Sequence, residues 1–219
     1  MKKLKKTSLF FLLLIVLSIF IRIFIGEPAK VSSLSMEPTI KSGDWLWINK
    51  VNYGAIIPMR WSDIPLLNIV TWIPYFRKKD IKNNWKYRRL PEFNEPKIGD
   101  IVVFNSPEDI DVLLVKRISQ ILYVDSWIYL DSTNYDIYNN IITHEMEAKI
   151  QNGIIYINDT ISTHCRLKNN YYFVLGDNSS ISRDSRSFGY ISEKDIVGKA
   201  NRILFSEGSD GKRILKKIE

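Results

Sequence analysis

Three short segments of this 219-residue chain gather the side chains whose types and spacing could do chemistry. The first is Ser33-Leu34-Ser35-Met36-Glu37-Pro38-Thr39. A serine beside a proline is, taken alone, a turn or helix-cap residue. The second is Gly99-Asp100-Ile101-Val102-Val103-Phe104 followed by Leu113-Leu114-Val115-Lys116-Arg117. Lys116 closes an apolar stretch, where a lysine can simply be a strand-end charge. The third is Gly176-Asp177-Asn178-Ser179-Ser180-Ile181-Ser182-Arg183-Asp184-Ser185-Arg186, then Phe188-Gly189. It is dense in groups that hydrogen-bond and ion-pair, and it directly follows an apolar run.

Other candidates carry less. His164 adjoins the lone Cys165, and both read as part of a polar loop; one cysteine says nothing about redox compartment. The run His144-Glu145-Met146-Glu147-Ala148 lacks the second histidine that a zinc-protease helix needs, so no metal site is expected. Ser209-Asp210-Gly211-Lys212 fits the Ser-x-x-Lys pattern of penicillin-binding enzymes, but Asp-Gly signals a turn and no helix follows to present the serine. No cofactor is implied.

The elements that must position these segments begin with a membrane anchor. Lys2, Lys3, Lys5 and Lys6 precede an apolar run over 9–25, interrupted by Arg22 near its far end. Seventeen residues at ~1.5 Å each span roughly 25 Å, close to a ~30 Å hydrocarbon core, and Arg22 can snorkel to the interface. Basic residues before the run place the N-terminus inside and the remainder outside the cytoplasmic membrane. A cleavable signal peptide fits less well, because only Val31-Ser32-Ser33 weakly resembles a cut site. Residues 1–26 thus form a cytoplasmic tip and single-pass anchor, and 27–219 an extracytoplasmic domain.

That domain reads as mostly β. Candidate strands cover 45–49, 100–105, 112–117, 153–157, 171–175 and 196–205, each short, rich in Val, Ile, Tyr or Phe and bounded by turn residues. No later segment shows sustained helical periodicity, so helix is confined to short pieces. Two stretches read as insertions, at about 55–97 and 121–170. The first holds five prolines, several tryptophans and, over 77–89, seven Lys or Arg against Asp80 alone. Basic and aromatic residues so interleaved suit a lipid headgroup layer. The net charge of +7 comes without any nucleic-acid-binding signature, so membrane lipid rather than nucleic acid is the expected anionic partner.

Together and in this order, the three segments resemble the bacterial type I signal peptidases, the serine–lysine leader peptidases. The resemblance covers 1–54, 97–119 and 171–205 and rests on Ser-x-Ser-Met-x-Pro-Thr followed by Ser42-Gly43-Asp44, and on Gly-Asp-Asn with Asp-Ser-Arg seven residues after its Asp. It implies a signal-peptidase-like antiparallel β domain with inserted segments. Residue by residue, Ser35 matches the nucleophile and Lys116 the general base. Ser33 matches the oxyanion donor that works with the Ser35 N–H, and Ser182 the serine that orients the lysine. Asp184 matches the partner of Arg117, with Arg186 and Asp177 as further structural charges. Val31, Met36, Ile40 and Val115 fall where the family lines small apolar pockets. The implied substrates are pre-protein signal peptides with small residues at −1 and −3, cleaved near the secretion translocase.

The chemistry is consistent. A serine needs a base to take its proton. Unperturbed lysine is only ~0.04% neutral at pH 7, and lowering its pKa to about 8 costs roughly 3 kcal/mol, which burial against Leu113, Leu114 and Val115 can supply. Arg117, next in a strand, points to the opposite face.

The chain departs from the family where Val-x-Gly-Leu-Pro-Gly-Asp usually follows the Lys-Arg pair. It reads Ile118-Ser119-Gln120-Ile121-Leu122-Tyr123-Val124-Asp125 instead, which leaves the path after Lys116 open. The rival readings are a dedicated maturation peptidase of the same fold and a catalytically silent, membrane-tethered secretion adaptor.

Overall fold

The computed structural model describes residues 2–82, 85–109, 112–131, 133–145, 148–151, 154–157, 160–161, 163–207 and 213–218. The Ser209 to Lys212 pattern, Gly153 at the head of one candidate strand, and Met146 and Glu147 lie outside them.

An N-terminal helix, α1 (Lys2–Phe20), continues through a π-helical turn at Ile21–Ile25. Residues Lys6–Ile25 are long and apolar enough to cross a membrane, and none of that span is buried against the rest of the protein. The chain then runs β1 (Gly26–Lys30), β2 (Asp44–Asn49), short 3-10 helices at Trp61–Asp63 and Leu67–Trp72, and α2 (Pro74–Lys82). It continues through β3 (Ile101–Asn105), β4 (Leu113–Leu122), β5 (Trp127–Tyr129), α3 (Asn139–Glu145), β6 (Ala148–Gln151), β7 (Ile154–Ile157), β8 (Thr160–Ile161) and β9 (His164–Arg166). Last come β10 (Tyr171–Leu175), α4 (Ser185–Phe188), β11 (Ile191–Ser192), a 3-10 turn at Glu193–Asp195, β12 (Ile196–Ser206) and β13 (Lys216–Lys217).

The main sheet is antiparallel with order β1-β2-β12-β3-β4-β10-β11, and β13 adds to β12. The sequence accounts for its placement. In β2 the side chains of Asp44, Leu46 and Ile48 are buried while Trp45, Trp47 and Asn49 are half-exposed, the period of two of a strand covered on one face. Strand β3 reads Ile-Val-Val-Phe without polar alternation and lies at the sheet centre, buried on both sides. Two apolar clusters fill those sides. One joins Met36, Ile40, Leu46, Ile48, Ile101 and Val103; the other joins Val102, Phe104, Ile118, Tyr172, Val174 and Ile196.

Five of the six expected strands form within one or two residues of their expected limits. Strand β4 instead runs five residues beyond Arg117 to Leu122, through the stretch without glycine or proline. Nothing there breaks an extended chain, and β10 supplies a partner, pairing Leu175 with Arg117 and Tyr171 with Leu122. The segment after Leu122 builds two small sheets, β5-β9 and β6-β7-β8.

Candidate active site

Ser35 sits in the loop that joins β1 to β2. The loop is closed at its base by hydrogen bonds from Val31 N to Asp44 O and from Gly43 N to Val31 O, both 2.8 Å. Within it Ile40 N donates to Met36 O at 2.9 Å, forming a single helical turn. Met36 and Ile40 drive that turn into the core, where both are buried, and Val31 follows. These apolar anchors leave Ser35 only 5% exposed and turned towards β4.

Lys116 arrives from β4, paired with Val102 of β3. Its ammonium Nζ lies 2.5 Å from Ser35 Oγ, across 81 positions of chain. The residue is 3% exposed, and among the described residues no carboxylate comes within 4.0 Å of Nζ. Burial pushes the Lys116 pKa below that of ordinary lysine, because an apolar surrounding disfavours the charged form. The carboxylates of Asp184 and Asp177 oppose the shift without cancelling it. Arg117 leaves the strand on the other face, as strand geometry requires.

The segment 176–186 braces both groups. Asn178 N donates to Ser35 O at 3.0 Å, and Gly176 packs between Ser35 and Ser182 so closely that an added Cβ would lie 2.6 Å from Ser35 O and 2.1 Å from Ser182 Oγ. The expected pairing of Arg117 with Asp184 is corrected here. Arg117 meets Asp177 in a two-pronged contact, Nε to Oδ1 and Nη2 to Oδ2 at 2.8 Å each, and also donates to Gly99 O. Asp184 lies one short turn further on, at the N-cap of α4, where Arg186 curls back onto both its oxygens at 2.8 Å and Gly176 N donates at 3.0 Å. Burial alone would raise the Asp184 pKa. The hydrogen bonds from Arg186 and the Gly176 N–H reverse that and hold the carboxylate far below its usual range. Asp177 is likewise kept ionised, by Arg117 and Thr39, against the effect of burial.

Two further site residues differ from expectation. Ser182 stands beside the site, but its buried Oγ makes no hydrogen bond of 3.5 Å or less to Lys116 or to any other described group. Its side chain packs against Gly176 instead of bonding to Nζ. Ile40 does not face a pocket; it is wholly buried in the core behind Met36. Ser33 is exposed at the cleft, and its Oγ accepts the Ser35 N–H at 3.1 Å.

A cavity of about 100 Å3 opens directly over the Ser35–Lys116 contact. Val31, Ser33, Met36 and Val115 line it with Ala29 and Val103. Its two long sides are strand edges. Residues 113–116 of β4 pair with β3 on one side only, since β10 joins β4 from Arg117 onward, and β1 is the outermost strand of the sheet. An extended peptide laid there would find unpaired backbone groups on both flanks. Among the described residues no group of three or more His, Cys, Asp or Glu converges to hold a metal ion.

A buried serine–lysine contact under a small cleft can be compared with known proteins. The family model described as signal peptidase, peptidase S26, matches residues 4–205 of this chain. The chain belongs to the signal peptidase family. Signal peptidase I of Buchnera aphidicola subsp. Schizaphis graminum is 30% identical to it over 85% of this chain and 70% of that protein. Signal peptidase I of Rickettsia typhi is 28% identical over 94% and 81%, and that of Helicobacter pylori strain 26695 is 26% identical over 88% and 79%. Signal peptidases are endopeptidases that remove signal peptides, and with family membership that activity is this chain's own.

This signal peptidase also uses residues that the sequence motifs leave unassigned. Arg213, in the basic C-terminal tail, donates to Thr39 O at 2.6 Å and lies 2.9 Å from the wholly buried carboxylate of Asp44. Asp44 in turn accepts the Lys41 N–H at 2.9 Å, so the far end of the chain clamps the loop that carries Ser35. Asp44 stands in the Ser-Gly-Asp signature and could be found there; Arg213 has no local signal. Gly176 belongs to the Gly-Asp-Asn motif, and only the packing shows why it lacks a side chain.

Proposed function

We propose that this signal peptidase cleaves its substrates by acyl transfer from Ser35, with Lys116 as general base and then general acid. The carrying observation is the 2.5 Å contact between Nζ and Oγ inside a site that lowers the lysine pKa. As a neutral amine, Lys116 accepts the Ser35 hydroxyl proton while Oγ bonds to the scissile carbonyl carbon. The protonated lysine then gives that proton to the leaving amine as the peptide C–N bond breaks. A water, deprotonated by the same amine, hydrolyses the acyl-serine and restores both groups.

Ser33 Oγ and the Ser35 N–H lie 3.1 Å apart and bond to each other in the free enzyme, a spacing that lets both converge on one oxyanion once a substrate carbonyl enters. The small volume between Val31, Met36 and Val115 supports small side chains at −1 and −3 of a substrate strand added along 113–116. The lysines ahead of the apolar helix support an N-terminus inside and a catalytic domain outside the cytoplasmic membrane. Family membership favours signal-peptide removal over a dedicated maturation role, and the assembled dyad speaks against a silent adaptor.

The test is cleavage of a pre-protein by the detergent-solubilised full chain. Ser35→Ala and Lys116→Ala should each abolish the size shift while leaving the folded domain intact by circular dichroism. Retained cleavage in either folded variant would refute the assignment.

A further inference from the structure

We propose that the 57–90 insertion docks onto an anionic lipid–water interface, beside the point where the anchor leaves the bilayer. The inference uses the anchor but is independent of the catalytic assignment.

The insertion is folded, yet among its described residues no hydrophobic side chain is buried. None of the residues in the Leu67–Trp72 helix is buried. Leu66, Ile69, Trp72, Ile73, Tyr75 and Phe76 are all exposed, Trp72 at 82% and Tyr75 at 69%. Six large apolar side chains exposed within eleven residues of chain mark a contact with something outside the chain. The insertion is nonetheless held firmly to the catalytic body. Arg89 donates from its two terminal nitrogens to the carbonyls of Tyr53, Glu193 and Ile196. The patch is therefore presented in a set direction.

Two observations choose lipid as the occupant. The first is position. A cavity of about 650 Å3 has Arg22 and Ile23, at the end of the apolar helix, on one wall and Pro58, Pro65 and Leu66 of the insertion on another. The helix end is tied to the domain by Lys50, whose Nζ donates to Arg22 O at 2.9 Å and pairs with Glu27 at 2.7 Å, while Arg22 pairs with Glu27 at 2.8 Å. Leu66, at one edge of the patch, thus lines the same cavity as the end of the apolar helix.

The second is charge. On α2, Arg77, Lys78, Lys79 and Lys82 are exposed, whereas the helix's only acid, Asp80, is buried and turned inward to the N–H groups of Trp61 and Ser62 at 2.8 and 3.2 Å. The exposed charge of this helix is wholly cationic. Protein interfaces are depleted of lysine, whereas aromatic rings beside lysine and arginine are the composition of the headgroup layer.

The test uses the full chain reconstituted into phosphatidylcholine–phosphatidylglycerol vesicles that carry brominated acyl chains. Flotation with the vesicles reports on the anchor. The difference in fluorescence between the wild type and Trp72→Phe reports on Trp72 alone. Trp72 emission should be blue-shifted and quenched by the brominated lipid. Each basic side chain near an anionic surface favours docking roughly fivefold, so combining Arg77→Gln, Lys78→Gln, Lys79→Gln and Lys82→Gln should lower the docked-to-undocked ratio on the order of 10²-fold or more. That variant should still cleave a pre-protein in detergent at the wild-type rate. A floating wild-type chain whose Trp72 stays solvent-like and unquenched overturns the proposal, and so does a folded quadruple variant quenched as strongly as wild type. The first result leaves a protein partner as the patch's occupant; the second removes the anionic headgroups from what holds it.

Discussion

Gly176→Ala places one methyl group between the nucleophile loop and the segment that braces it. Its Cβ would lie 2.1 Å from Ser182 Oγ, 2.6 Å from Ser182 Cβ and 2.6 Å from the carbonyl oxygen of Ser35. Ordinary contact begins near 3.4 Å, so the Ser35 backbone must retreat by about 0.8 Å or the 176–186 segment must move away from it. Ser35 O also accepts the Asn178 N–H at 3.0 Å, so that bond and the 2.5 Å Lys116 contact are disturbed together. A misplacement near 1 Å in a catalytic pair costs on the order of 10²-fold in rate. Overpacking of this kind costs about 1–3 kcal/mol, or roughly 2–12 °C in Tm for a domain of this size. The three nearest contacts of the methyl are to Ser182 and Ser35 O, not to 113–116 or Ala29–Val31, which wall the substrate cleft, so kcat should fall while KM holds. The assay is steady-state cleavage of a pre-protein alongside thermal unfolding. Adding Ser182→Gly removes the side-chain clash but not the one with Ser35 O, and the double variant should remain slow. A wild-type kcat in Gly176→Ala, or full rescue by Ser182→Gly, would refute the reasoning.

The remaining predictions concern charge and hydrogen bonding. Because burial lowers the Lys116 pKa, kcat/KM should rise with pH along a limb that lies below the ~10.4 of free lysine, and Lys116→Arg should be inactive throughout a pH–rate series because guanidinium keeps its proton. The same shift has a stability consequence. Between the folded and unfolded pKa values the unfolded chain binds more protons, so stability rises with pH across that window and is weakest below the folded value. Lys116→Met should remove this pH dependence in urea titrations. Ser33→Ala should reduce kcat ~10²–10³-fold with normal folding, and an unchanged kcat would take Ser33 out of the oxyanion role. Arg213→Ala strands the buried Asp44 carboxylate and should cost about 3–5 kcal/mol in chemical denaturation; wild-type stability would mean the tail does not clamp the Ser35 loop.

Much of this was legible where local pattern and tertiary role coincide. Strands β2, β3, β10 and β12 follow from alternation or unbroken apolar runs, and the apolar residues around Ser35 are those that pin its loop. Legibility ends where a choice is made by partners distant in sequence. The far half of β4 is held by β10, some fifty residues away, so no local signal marks its end at Leu122. Asp177 and Asp184 stand seven residues apart in one motif, and only the turn of the chain between them decides which meets Arg117. Ile40 is apolar enough for a pocket wall or for a core, and the helical turn at Met36 selects the core. Arg213 pairs across 169 positions, from a tail whose composition reads only as basic.

The account depends on an amine that loses its proton more readily than any solvated lysine. Its most direct test is a carbon-detected NMR titration of the Lys116 Cε in the full chain in micelles, assigned by comparison with Lys116→Arg. The resonance should titrate below the main group of lysines and move when Ser35→Ala removes the hydroxyl 2.5 Å away. A Lys116 signal that titrates together with the exposed lysines would contradict the mechanism.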